Sequence, residues 1–210
     1  MNKNLFYGFI IVLFHLVGLF GFLNPAWEVF FIKLVPYHLL LMLLIMIFTV
    51  EDRSYNLLKF ASLVYLAGYL IEVLGVNTGL IFGNYRYGSA LGLKVWEVPL
   101  LIGVNWLILV YCTGIFLQSV HVKNKWVFSA IGALILLGID FLIEPVAIKF
   151  DYWSWYGGII PVQNYIGWYV FSFFLFLFYT SCNFKKSNNA AIVLLFTQAA
   201  FFLALNLWAF

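Results

Sequence analysis

Seven apolar runs, each close to the roughly 17 to 25 residues that a helix needs to cross the hydrocarbon core of a bilayer, limit this chain more than any other feature. They span Leu5–Phe22, Val35–Val50, Leu58–Leu74, Val98–Ser119, Trp126–Ile143, Val162–Cys182 and Ala190–Trp208. Only 9% of the residues are charged, against roughly 25% in a soluble domain, so water cannot solvate most of the surface. The expectation is an all-α integral membrane protein, a seven-helix bundle forming one domain over residues 1–210. No small-x-small cleavage site follows Phe22, and "NPAWEVFF" leads directly into the next run, so the first run reads as a retained helix.

Basic residues set the expected orientation, because loops rich in Lys and Arg stay inside. Lys3, Arg53, Lys59, Lys123, Lys125, Lys185 and Lys186 fall at the N-terminal face, and Lys33, Arg86, Lys94 and Lys149 at the other. A multi-pass protein of the cell membrane, with its N-terminus cytoplasmic and its C-terminus external, is expected. The net charge of +3 is small and divided between both faces, which argues against a nucleic-acid partner. Cys112 and Cys182 show no metal or redox spacing and read as packing residues.

The acids sort by face more sharply. Glu51 and Asp52 belong to a turn at the N-terminal face, whereas Glu28, Glu72, Glu97, Asp140, Glu144 and Asp151 all map to the opposite end. A carboxylate in a span is expensive, by about 2.5 to 3.5 kcal/mol at a helix centre, and is expected to face the interior and find a partner. Asp140 and Glu144 stand four apart, on one helix face, close enough to share a proton.

An internal repeat frames these acids. Glu72 precedes Phe82 of "FGNYRY" by ten residues, and Asp140 precedes Phe150 of "FDYWSW" by ten. Each aromatic loop then runs to a proline expected to open the next helix, and Trp106 and Trp168 follow Pro99 and Pro161 by seven residues. Asn105 and Asn164 add an amide to each unit. Both units run out, loop and return, so the repeat is parallel, pairing helices 3–4 with helices 5–6. Helices 1 and 2, with Trp27, Glu28 and Pro36, offer a degenerate third copy. The two units predict a pocket floored by Glu72, Asp140 and Glu144 and walled by Tyr85, Tyr87, Trp96, Trp106, Trp153, Trp155 and Trp168. Acids beside ring faces suit a reaction in which a carboxylic acid protonates an alkene and aromatic quadrupoles hold the cation.

Residues 71–106, "IEVLGVNTGLIFGNYRYGSALGLKVWEVPLLIGVNW", and 139–168, "IDFLIEPVAIKFDYWSWYGGIIPVQNYIGW", resemble the two signature blocks of the membrane-integral carotenoid 1,2-hydratases, a family that includes the bisanhydrobacterioruberin hydratases and is distantly similar to the membrane lycopene cyclase domains. The resemblance spans about residues 68–170 and rests on G-x-x-T-G, F-G-x-Y-x-Y, V-P-L and N-x-x-G-W. The family usually has Asp-Pro where this chain has Glu144-Pro145. The cyclase relatives carry acids just after their proline, whereas Leu100, Leu101 and Ile102 follow Pro99 here.

The resemblance implies hydration of the terminal double bond of an acyclic carotenoid drawn from the lipid phase, with other carotenoid-pathway membrane enzymes as candidate partners and with neither cofactor nor metal. Asp140 and Glu144 are the expected proton source and Glu72 the water-positioning base, or the reverse. Glu97 and Asp151 complete the candidate catalytic set. Tyr85, Tyr87, Trp96, Trp106, Trp153, Trp155 and Trp168 would line the substrate, with Asn105 and Asn164 at its polar edge. Three alternatives stay open on the residues: a carotenoid cyclase, a non-enzymatic carotenoid-binding or transport protein, and a prenyltransferase using "DFLIE" for magnesium. A retinal protein is disfavoured, since no expected helix core carries the lysine a Schiff base needs. His15, His38 and His121 are too scattered for metal ligation and read as packing or interface residues.

Overall fold

A computed structural model describes residues 3–208. Seven helices make up the bundle: α1 (Lys3–Leu23), α2 (Glu28–Thr49), α3 (Tyr55–Thr78), α4 (Leu101–Ser119), α5 (Lys125–Lys149), α6 (Val162–Ser181) and α7 (Asn189–Trp208). All but α6 are long and apolar enough to cross a membrane on length and composition. The remaining helix, α6, is 20 residues long and carries Tyr165, Trp168, Tyr169 and Tyr179, which lower its hydropathy without shortening it. Large apolar side chains such as Leu5, Phe9, Phe20, Leu134 and Phe141 lie on the outer surface, as lipid-facing residues do. Helix α4 is the central element, its faces buried nearly all round.

Side chains seal the helix starts at one end of the bundle. Ser54 Oγ accepts from the Leu57 N–H at 3.3 Å, Asn124 Oδ1 from the Trp126 and Val127 N–H groups at 2.9 and 3.2 Å, and Asn188 Oδ1 from those of Ala190 and Ala191. Each satisfies backbone donors that a helix start leaves open. At the other end α3 stops at Gly79, whose φ of 67° is the left-handed stop that glycine takes at least cost.

Several boundaries differ from the sequence expectation, α3 among them, which runs Tyr55–Thr78 rather than Leu58–Leu74. Helix α2 begins at Glu28 rather than Val35, and Pro36 lies inside it. No lid strand forms between α1 and α2 among the described residues, so helices 1 and 2 do not build a third copy of the loop. Helix α5 runs through Pro145 to Lys149, which places Glu144 within the helix. Residues 94–99 form a hairpin, β2 (Lys94–Val95) with β3 (Val98–Pro99), so Pro99 ends a strand and α4 starts two residues later. Pro161, by contrast, caps α6 as expected.

The aromatic loops pair with each other. β1 (Tyr85–Tyr87) and β4 (Trp153–Trp155) form an antiparallel ribbon in which Tyr85 faces Trp155, Arg86 faces Ser154 and Tyr87 faces Trp153. Glu72 and Asp140, Phe82 and Phe150, and Arg86 and Ser154 are all 68 residues apart. Arg86 thus pairs with its own counterpart, while Tyr85 and Tyr87 pair with each other's. A local two-fold axis through the ribbon centre generates this register. Trp106 and Trp168, also counterparts, stack with ring centroids 4.1 Å apart and planes 20° from parallel.

Candidate functional site

Beneath the ribbon, Glu72 of α3 is buried and held by three donors. Tyr85 and Tyr87 hydroxyls donate to Oε2 at 2.5 and 2.8 Å, and the Trp106 indole N–H donates to Oε1 at 3.0 Å. Gly68, one turn before Glu72, makes the indole's approach possible, because a β-carbon there would stand 2.5 Å from that of Trp106. Both oxygens act as acceptors, and the Tyr85 bond has the length of a charge-assisted one. Burial, and then the neighbouring Glu72, push both tyrosine hydroxyls well above their ordinary range, so they stay protonated and donating.

The second unit also sets a buried acid under the lid's donors, with a different acid and different donors. Trp153 and Trp155 indoles donate to Glu144 Oε2 at 3.1 and 2.8 Å. The positional counterpart of Glu72 is Asp140, yet Glu144, one turn nearer the ribbon, receives the lid's donors. Asp140 lies behind it, fully buried. The Asn164 amide bridges the two, donating to Asp140 Oδ2 at 2.9 Å and to Glu144 Oε1 at 3.1 Å. Asp140 Oδ1 has no partner among the described residues, which leaves it as an oxygen where a proton can reside.

Glu72 and Glu144 line one small void of about 20 Å³, together with Asn105, Asn164, Tyr85, Trp153 and Trp155. That is close to the smallest space that holds one water, about 10 to 15 Å³ on the same measure, and the polar partners a water needs surround it. Beside it lies a cavity of about 490 Å³ between α1, α2, α4, α5 and α7. Ile102, Asn105 and Trp153 belong to both walls, so the polar void and the apolar cavity adjoin. Phe14, Val17, Phe30 and Tyr37 line the cavity while also being exposed on the outer surface, which opens it toward the lipid side.

Most of the residues singled out from the sequence converge here: Glu72, Asp140, Glu144, Tyr85, Tyr87, Asn105, Trp106, Trp153, Trp155, Asn164 and Trp168. Three do not. Trp96 and Glu97 form the two-residue tip of the β2–β3 hairpin, both with positive φ and both exposed. Tyr69 holds that hairpin on α3 by donating to Val95 O at 2.6 Å. Asp151 is exposed beside the ribbon, where its Oδ2 accepts from the Ser89 N–H at 3.2 Å and so ties the two lid loops together. Sequence reasoning missed the large cavity, because its walls come mostly from α1, α2 and α7, outside the repeat.

Fold and site together define a polytopic helical membrane protein with paired carboxylates beside a lipid-facing apolar cavity. The chain belongs to the carotenoid biosynthesis protein family, whose model matches residues 34–210. It is similar to a bisanhydrobacterioruberin hydratase of Haloarcula japonica, 29% identical over 158 residues that cover 68% of this chain and 50% of the relative. The chain thus spans about half the length of that curated relative. No solved structure matches it.

Proposed function

We propose that this protein is a carotenoid hydratase, a hydro-lyase acting in the direction of water addition on the terminal double bond of an acyclic carotenoid end group. The observation that carries this reading is the meeting of two carboxylates, Glu72 and Glu144, on one water-sized void at the end of an apolar cavity.

In the proposed reaction, Asp140 and Glu144 share one proton, since two buried negative charges one turn apart cost more than one. Glu144, which lines the void, transfers it to the less substituted alkene carbon, and the π electrons form that C–H bond. The tertiary cation left behind faces the rings of Trp153, Trp155 and Tyr85, whose quadrupoles attract positive charge. Glu72, held as a carboxylate by its three donors, orients the water. Its oxygen forms the new C–O bond, and its proton passes to Glu72 and then across the void to Glu144. One water is consumed, a tertiary alcohol forms, and the acid pair is restored. Two carboxylates in unlike environments support such a division of roles.

The test is incubation of the purified protein, in lipid nanodiscs, with an acyclic carotenoid in oxygen-18 water. Product heavier by one labelled water supports hydration. Product of unchanged mass and altered absorption would instead mean that a second double bond captured the cation, giving a cyclase. Unaltered carotenoid would mean that the cavity only holds pigment.

A further inference from the structure

Part of the large cavity's wall is polar. His15 of α1 and His38 of α2 meet edge to face, with ring centroids 4.6 Å apart and planes at 83°, and Gln198 of α7 lines the same space. His15 Nδ1 bonds to Ile11 O at 2.8 Å, its one hydrogen bond among the described residues, although the residue is only 6% exposed. Neither the His38 nor the Gln198 side chain makes a hydrogen bond to the protein among the described residues. The surrounding wall is hydrocarbon, including Phe14, Phe22, Leu34, Met42 and Phe201.

Unpaired polar groups at membrane depth are costly, and three from three different helices meet on this one cavity. They have no third His, Cys, Asp or Glu to complete a metal set among the described residues. Two imidazoles and a carboxamide together offer both donors and acceptors, which matches a hydroxyl group, itself a donor and an acceptor. His38 is ten residues into α2 and Asn105 four into α4, about 15 Å and 6 Å along their helices at a rise of about 1.5 Å per residue. Both helices start at the ribbon end, so the imidazoles lie deeper than the acid site, along the path of a chain whose end rests at Asn105 and Trp153.

We propose that His15, His38 and Gln198 form a binding station for a hydroxyl substituent on the isoprenoid chain, so that the protein selects oxygenated carotenoids over pure hydrocarbons. This rests on the reading of the cavity as the substrate's seat.

The probes for its test are two acyclic carotenoids with saturated ends, one bearing a single hydroxyl near an end group and the other none. Binding to the full chain in nanodiscs is followed by quenching of tryptophan fluorescence, Trp153 being in the cavity wall. The wild type binds the hydroxylated probe about five- to tenfold more tightly, the worth of a net hydrogen bond or slightly more. His38→Phe and Gln198→Leu, on separate helices, each reduce that ratio towards one while retaining the hydrocarbon probe. Equal affinities in the wild type, or a preference surviving in both variants, would overturn the proposal. Since neither probe has a terminal alkene to hydrate, failure of labelled-water incorporation would defeat the hydratase reading separately and leave this ratio to be judged alone.

Discussion

At the scale of single residues, the two carboxylates at the void differ in what holds them. Glu72 is fixed by two phenols and an indole, Glu144 by two indoles and the amide that also reaches Asp140. The account assigns proton delivery to Glu144, so Glu144→Gln should lower the hydration rate by about 100-fold or more, the usual worth of a general acid. Helical circular dichroism should be unchanged. Tyr85→Phe removes one charge-assisted donor from Glu72 and should lower kcat/KM by about tenfold, as expected for a bond of about 1.5 kcal/mol, with the bundle intact. The raised tyrosine hydroxyls set the alkaline limit. Their contribution to stability is full below the unfolded value of about 10 and is lost as pH rises from there through the folded values, which an alkaline unfolding series would show. The three core acids were legible in the sequence because charge in a span is costly and demands a purpose. Glu97 and Asp151 drew notice because they map to the same end of the chain's spans, but loop acids carry no such cost, and both are exposed.

At the scale of elements, the lid is one ribbon shared by two units. Gly88 N donates to Tyr152 O at 2.9 Å just beyond the paired strands, and a side chain on Gly88 would run into the Asp151 carbonyl. Gly88→Val should therefore open the lid, with hydration lost while the helices remain, as a loss of activity without a matching loss of helical circular dichroism would report. The repeat's spacing made the two loops recognisable, but not their pairing with each other, since strand partners three residues long leave no periodic signal. The β2–β3 hairpin was hidden for a related reason. Its tip is Trp96–Glu97 with both residues at positive φ, where such turns favour Asn-Gly, and Val98 reads as the start of an apolar run.

At the scale of the whole molecule, two paired units hold the buried acids while α1, α2 and α7 supply most of the cavity wall beside them. The bundle was legible from length and hydropathy alone. The cavity was not, because a void is a property of how helices pack. His15 and His38, apart in sequence, became neighbours only through that packing. The location of the acids at one end of the bundle and the opening of the cavity on its side would suit the proposed substrate, a hydrophobic molecule reached from the bilayer. The most direct measurement is mass spectrometry of pigments from a host that accumulates acyclic carotenoids, expressing the wild-type chain, Glu144→Gln or Glu72→Gln. The account predicts carotenoids heavier by one or two waters with the wild type and none with either variant. Hydrated pigment from both variants, at wild-type levels, would contradict it.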